Sequence, residues 1–240
     1  MSVHARAPHL RVTEEADVSG PSVAPGTVAA MTITQSPSLT TPAADTDVSH
    51  LPGPRVHRAL LVTGGVLFAV GNLLHPLDHS DAAARSPLWS TAHLVFAAGG
   101  LLAAAGLAPV ARLLRASRLG LAGLALMWWG LVLLPVSSAF EVWVAPAVGM
   151  ERTEEISGAP LLVVVSAVPF LLGPVLVAIA ALRRRLLPVP VSVGLLLFTV
   201  GAVVAGGLPH ELQGLGIIPG SVALGAALAG AGIVTTRRSV

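Results

Sequence analysis

The sequence contains no cysteine, and only 11% of its 240 residues are charged. The absence of cysteine excludes a disulfide framework and a zinc–cysteine module. A water-soluble chain has about 25% charged residues, whereas hydrophobic residues make up 54% of this one. The shortage of charge therefore indicates a membrane protein.

Lysine is also absent, so all fourteen basic side chains are arginine. An apolar segment without lysine cannot form a retinal-type Schiff base. The sequence also lacks the phosphate-binding Gly-Lys-Ser/Thr loop, the Gly-x-Ser-x-Gly elbow and the His-Glu-x-x-His zinc helix. The arginines fit a codon bias as well as any nucleic-acid role, and we expect no nucleic-acid partner.

Two regions of different composition divide the chain. Residues 1–54 are rich in Ala, Pro, Ser and Thr with scattered acids, and they show no sustained apolar period. Such a segment cannot bury enough surface to offset its ordering entropy. It also lacks the apolar region that follows the basic start of a signal peptide. We predict a disordered cytoplasmic tail over residues 1–54 and a transmembrane domain over residues 55–240.

Long apolar runs separated by short polar breaks fill the second region. A spanning helix needs about 20 mainly apolar residues, and continuous apolar runs favour helices over the alternating strands of a membrane barrel. We therefore predict an all-α integral membrane fold, a bundle of six transmembrane helices. The predicted spans are Ala59–Leu77, Trp89–Val110, Leu119–Phe140, Pro160–Leu182, Leu187–Leu208 and Leu215–Val234.

Arginines flank these predicted spans unevenly. Two of them, Arg85 and Arg152, lie on one side of a six-span chain, and ten lie on the other. Basic residues in short loops mark the cytoplasmic face. We therefore predict a multi-pass protein of the cell (inner) membrane with both chain ends in the cytoplasm. The ten are Arg55, Arg58, Arg112, Arg115, Arg118, Arg183, Arg184, Arg185, Arg237 and Arg238.

Small residues recur along three of the predicted spans. In lipid they let helix backbones approach closely. We expect them to serve packing inside the bundle rather than homodimerisation, and the oligomeric state stays open. They are Gly64, Gly65 and Gly71 in the first span, Gly99, Gly100 and Ala104 in the second, and Ser221, Gly225 and Ala229 in the last.

Histidines and carboxylates collect at the end of the spans opposite the ten arginines. Neutral imidazole and carboxylate together suit zinc, iron, nickel or copper, and ionisable groups inside a span usually face an interior or a water-filled cavity. We predict an outward-facing site for a divalent transition metal that serves transport, handling or catalysis. Its predicted ligands are His75, His79, His93, His210 and Glu141.

Neighbouring residues modify this prediction. Pro76 disfavours helical backbone at His75, so the helix is expected to end there. Asp78 or Asp81 would accept a hydrogen bond from a ligand histidine. Of the four tryptophans, we expect Trp89 and Trp143 in an aromatic belt at the outer interface. The remaining two, Trp128 and Trp129, would either face lipid or line a cavity.

Two other functions remain open. The first is a metal-free membrane enzyme, terpene-cyclase-like or lipid-modifying, in which Glu141, Asp78 or Glu211 is the general acid and histidine the base. Its tryptophans would line an apolar pocket for a lipid-like or isoprenoid small molecule. The second is a structural or accessory membrane subunit whose polar residues only satisfy one another. In every case the lipid bilayer is the expected surrounding.

Overall fold

The computed structural model describes residues 53–209 and 212–237. Within these two ranges all regular secondary structure is helical, and six helices are long and apolar enough to cross a membrane. The predicted all-α, six-helix membrane bundle is therefore confirmed. The predicted tail, apart from residues 53 and 54, and the site candidates His210 and Glu211 lie outside the described residues.

The six long helices agree with the predicted spans in number and order. Three shorter helices join them: Asp81–Ala84 and Met150–Ser157 at one end of the bundle, and Ala108–Leu114 at the other. The long helices are α1 (Pro54–Leu73), α2 (Pro87–Ala105), α3 (Arg118–Val148), α4 (Pro160–Arg184), α5 (Val189–Gly206) and α6 (Gln213–Arg237).

Each long helix packs against its neighbours in sequence, and α6 returns to pack against α1. Phenylalanine rings join the helices across the bundle in edge-on contacts. The ring centres of Phe68 and Phe96 lie 6.0 Å apart, those of Phe68 and Phe170 6.5 Å, and those of Phe170 and Phe198 4.8 Å. These contacts connect α1, α2, α4 and α5 with the geometry that aromatic quadrupoles favour.

Glycines bring α1 into backbone contact with two helices. A Cβ atom built on Gly64 would lie 2.7 Å from the Gly99 carbonyl oxygen of α2, and one on Gly65 would lie 2.5 Å from the Gly225 carbonyl oxygen of α6. Only a residue without a side chain allows such approaches. The expectation that these small residues pack the helices within one bundle is therefore confirmed.

Two helix ends differ from the predicted ones. Helix α1 ends at Leu73 rather than Leu77, because Pro76 cannot continue it and the His75 N–H already turns back to the Asn72 carbonyl oxygen. Helix α3 continues past Phe140 to Val148 and stops at Gly149, whose φ of 92° is open to glycine but strained for other residues. His75 consequently lies just beyond the first span rather than within it.

Helices α3 and α4 each contain a π-helical segment, Phe140–Val144 and Val163–Ala167. In the first, the Ala145 N–H donates to the Phe140 carbonyl five residues back. Each segment is followed within two residues by a proline, Pro146 or Pro169, which has no N–H to donate. Backbone carbonyls in both segments therefore need partners from elsewhere in the protein.

Candidate functional site

Three of the predicted metal ligands meet around one tryptophan. The His75 ring centre lies 5.1 Å from that of His79 and 4.8 Å from that of His93. All three rings contact the indole of Trp89, at 4.6, 5.3 and 4.7 Å for His75, His79 and His93. We call His75, His79, Trp89 and His93 the His–Trp cluster. It joins the loop after α1 to the first turns of α2.

Hydrogen bonds to nearby backbone carbonyls orient the imidazoles of His75 and His93. The Nδ1 atom of His75 lies 2.7 Å from the Pro76 carbonyl oxygen, and that of His93 lies 2.9 Å from the Trp89 carbonyl oxygen one turn earlier. A carbonyl can only accept, so Nδ1 carries the proton in both rings. Burial lowers the pKa of His75, and the bond to Pro76 opposes that shift only partly. In the neutral ring, Nε2 keeps its lone pair.

Trp89 occupies the centre of the cluster because of how α2 begins. The Ser86 hydroxyl accepts a hydrogen bond from the Trp89 N–H, and Pro87 occupies the first helical position. The Trp89 side chain is completely buried and packs against Ala145 and Met150. The prediction of an interfacial belt position is therefore wrong for Trp89, whereas Trp143 is 65% exposed, as a belt residue would be.

The predicted carboxylates of the loop region between α1 and α2 have local partners instead. The Asp78 carboxylate is exposed and accepts a hydrogen bond from the Ser80 hydroxyl at 2.6 Å. Asp81 Oδ1 accepts from the Met150 N–H at 2.8 Å, at the start of the helix Met150–Ser157. Asp81 therefore connects this short helix to the segment before α2, and its described hydrogen bond does not engage a histidine.

Glu141 reaches the cluster through its backbone only. Its carbonyl oxygen accepts a hydrogen bond of 3.0 Å from Trp89 Nε1. Glu141 also lines a cavity of about 340 Å³ between α3 and α4. Its Oε2 atom is buried in the protein and has no hydrogen-bond partner among the described residues.

The predicted metal site is thus assembled only in part. Among residues 53–209 and 212–237, no group of three or more His, Asp or Glu residues is arranged to hold a metal ion. The predicted ligand His210 and the candidate acid Glu211 lie outside these ranges. Gly214, three residues after Glu211, is in close contact with the backbone of Leu77 in the loop that carries His75 and His79.

The other two tryptophans have separate roles. Both Trp128 and Trp129 are nearly half exposed. The Trp129 indole donates a hydrogen bond of 2.8 Å to the carbonyl oxygen of Val165, which lies four residues before Pro169. Trp128 lines a shallow apolar groove with alanines of α2, α3 and the helix Ala108–Leu114.

Several of these features escaped sequence reasoning. The π-helical segments, the bonds from Trp89 and Trp129 to carbonyls near them, and the cavity beside Glu141 were not predicted. The available signal was the pair Pro146 and Pro169, each of which deprives a carbonyl four or five residues earlier of its helical donor. In lipid such a carbonyl needs another partner, and tryptophan is a donor that an apolar sequence retains.

The fold and its composition define the class of this protein. Its six apolar helices suggest a multi-pass membrane protein. No protein-family model matches the chain, and no curated protein or solved structure matches it significantly. A more specific function therefore has to be argued from the side chains themselves.

Proposed function

We propose that this membrane protein binds a divalent transition metal at the His–Trp cluster. One observation carries the proposal: the imidazoles of His75 and His93 are neighbours, and carbonyl groups bind both Nδ1 atoms. Metal-binding histidines characteristically donate their second N–H to such an acceptor, which orients Nε2 as the ligand atom. Imidazole ligands suit zinc, copper, iron and nickel.

The ring spacing also supports the proposal. Two imidazoles on one tetrahedral zinc ion have ring centres about 5 Å apart, and the described spacings are 4.8 and 5.1 Å. A protein site with an open position needs three ligands. His79 is the proposed third ligand and His210, in the turn before α6, the proposed fourth. Small side-chain rotations are required, since the described donors do not yet converge.

Elemental analysis tests the metal proposal directly. Protein purified in detergent is expected to contain close to one transition-metal ion per chain, and His75→Ala or His93→Ala should lose most of it. His57→Ala is the matched control, because His57 lies at the opposite end of α1. Metal-free wild-type protein after growth in metal-supplemented medium, or equal metal in all four proteins, would refute the proposal.

We further propose that the cluster faces outward from the cell membrane and that both chain ends are cytoplasmic. The support is the distribution of arginine, ten on one side against two on the other. Because the chain has no cysteine, single-cysteine variants report the topology cleanly. An impermeant maleimide added to intact cells should label Glu151→Cys but not Arg115→Cys. The reverse pattern would contradict this orientation.

A second candidate function is a metal-free membrane enzyme acting on a lipid-like or isoprenoid molecule. One observation favours it: Glu141, the expected acid, lines an apolar cavity. Asp78 lacks that support, since its carboxylate is exposed beside Ser80. Added lipids or prenyl diphosphates should then be converted by wild-type protein and not by Glu141→Gln. Equal conversion by both proteins would exclude Glu141 as the acid.

A further inference from the structure

Both π-helical segments contribute to the lining of the cavity between α3 and α4. Phe140 and Glu141 of the first segment and Val165 and Ser166 of the second line it. A π-helical turn adds one residue to the α-helical repeat, and such turns occur frequently at functional sites. Two backbone irregularities therefore contribute to the lining, and each is followed within two residues by a proline.

Tryptophan hydrogen bonds stabilise both irregularities. Trp89 donates to the Glu141 carbonyl in the first segment and Trp129 donates to the Val165 carbonyl in the second. These bonds satisfy carbonyl groups that would otherwise be costly in an apolar surrounding. The cavity walls consequently have a defined backbone conformation before any molecule enters.

The cavity changes from apolar to polar along the helix axis. Leu133 and Val136 line its inner part, and Glu141 lies eight residues beyond Leu133, about 12 Å further along α3 at 1.5 Å per residue. Ser157, from the outer helix Met150–Ser157, also lines the cavity. A molecule with an apolar chain and a polar head would lie here with its head towards Glu141.

Glu141 is the polar group that still needs a partner. The hydroxyl of Ser157 donates to the Glu154 carbonyl and that of Ser166 to the Leu162 carbonyl, so neither is used by Glu141. Burying a carboxyl oxygen without a hydrogen bond is unfavourable. The volume of about 340 Å³ is within the range of sites that bind small molecules.

The charges around the Glu141 carboxyl group indicate which polar head group a bound molecule would have. Glu154 is close enough to interact electrostatically with Glu141. Arg152, in the helix Met150–Ser157, forms an ion pair with Glu155, and no arginine of residues 53–209 or 212–235 forms an ion pair with Glu141. The ionisable groups near this end of the cavity are thus carboxyl groups, and the Ser137 hydroxyl also lines the cavity. This arrangement favours a head group that donates hydrogen bonds, such as an amine, over a fatty acid or phosphate head group.

We propose that this cavity binds a single-chain amphiphile with a protonated amine head, which donates a hydrogen bond to Glu141 while its chain occupies the apolar part near Leu133 and Val136. This site is separate from the proposed metal site. It uses the Glu141 carboxyl group, whereas the His–Trp cluster contacts only the Glu141 carbonyl.

Binding of radiolabelled dodecylamine to the full chain in nanodiscs of zwitterionic lipid tests this proposal, with empty nanodiscs as the blank for partition into lipid. We expect saturable binding of one amine per chain. Glu141→Gln should weaken it roughly 10- to 100-fold, the value of a hydrogen bond between charged groups. Glu151→Gln, the same change at an exposed position outside the cavity, should leave it unchanged.

Further probes examine the alkyl chain and the amine head group of the ligand separately. Ala167→Leu, which adds bulk to the cavity lining, should also weaken dodecylamine binding, and dodecanol and dodecanoate should bind less tightly than the amine. Amine binding that is equal in wild type and Glu141→Gln, or dodecanol binding as tight as the amine, would overturn the proposal. His75→Ala should keep amine binding while losing metal, so failure of either proposal is recognisable by itself.

Discussion

The indole of Trp89 donates a 3.0 Å hydrogen bond to the backbone carbonyl of Glu141, a residue 52 positions later in the chain. In this π-helical segment each carbonyl pairs with the N–H five residues later. The partner of the Glu141 carbonyl would be residue 146, but this residue is proline and has no N–H. One side chain thus fills the centre of the histidine cluster and also satisfies the backbone beside the Glu141 cavity. The two candidate sites share this support but not their ligand atoms.

Replacing Trp89 with phenylalanine tests that support. Trp89→Phe keeps an aromatic ring but leaves the Glu141 carbonyl without a donor, so we expect a loss of about 1–3 kcal/mol in the free energy of unfolding. Thermal or denaturant unfolding in detergent measures it. Trp143→Phe, at a 65% exposed position, is the control and should be close to neutral. Equal stability of both variants would show that the bond contributes nothing.

The adjacent residues Trp128 and Trp129 provide a closely matched comparison. Their exposed fractions are almost the same, 46% and 45%, but only Trp129 has a described hydrogen bond, to the Val165 carbonyl. Trp129→Phe should therefore lower the unfolding temperature more than Trp128→Phe does, because the freed carbonyl finds no water in lipid. The same unfolding temperature for both variants would contradict the proposed role of the indole.

Close packing of α1 against α6 makes Gly65 intolerant of even one methyl group. Gly65→Ala would place a Cβ atom 2.5 Å from the Gly225 carbonyl oxygen, and such overpacking costs about 1–3 kcal/mol. Gly206→Ala, the same substitution near the end of α5 with nothing within 4 Å, should be neutral or stabilising through helix propensity. Unfolding in detergent should separate the two variants, and a harmless Gly65→Ala would disprove the close approach.

The short helix Met150–Ser157 should depend on Asp81 for its stability. Asp81→Ala removes the acceptor of the Met150 N–H at the start of this helix, and loss of such a cap costs about 0.5–2 kcal/mol. Hydrogen exchange of the backbone amides over residues 150–157 should become faster. Asp78→Ala, which removes an exposed carboxylate bonded to Ser80, should leave that exchange unchanged. Slow exchange in both variants would show that the helix is held by other contacts.

The partial success of the site prediction has a physical explanation. His75, His79 and His93 could be grouped from sequence because both flanking helices end at the same side of the bundle, so short loops must bring them to similar depth. The structure does not group the carboxyl group of Glu141 with these histidines. The position of a residue along a helix does not state which face of the helix its side chain occupies, and a π-helical turn shifts that face.

The position of Trp89 illustrates the same limit. Tryptophan near the end of a span is typical of an interfacial belt, and Trp143 follows that pattern. Trp89 does not, because α2 begins at Ser86 and Pro87 and its first turn packs against the histidine loop and Met150. A single sequence contains the capping signal but not the identity of the surface that the first turn meets.

By itself the sequence determined the helical class, the number of spans and the use of small residues at helix contacts. These follow from apolar run length and from the need of every backbone group in lipid for a partner within its own helix. Only the tertiary structure decided which polar groups meet: three imidazoles lie around Trp89, and Glu141 lines the cavity between α3 and α4. That outcome depends on the rotation of each helix about its axis, which is set by backbone contacts such as Gly65 with Gly225 and by the proline-bounded π turns.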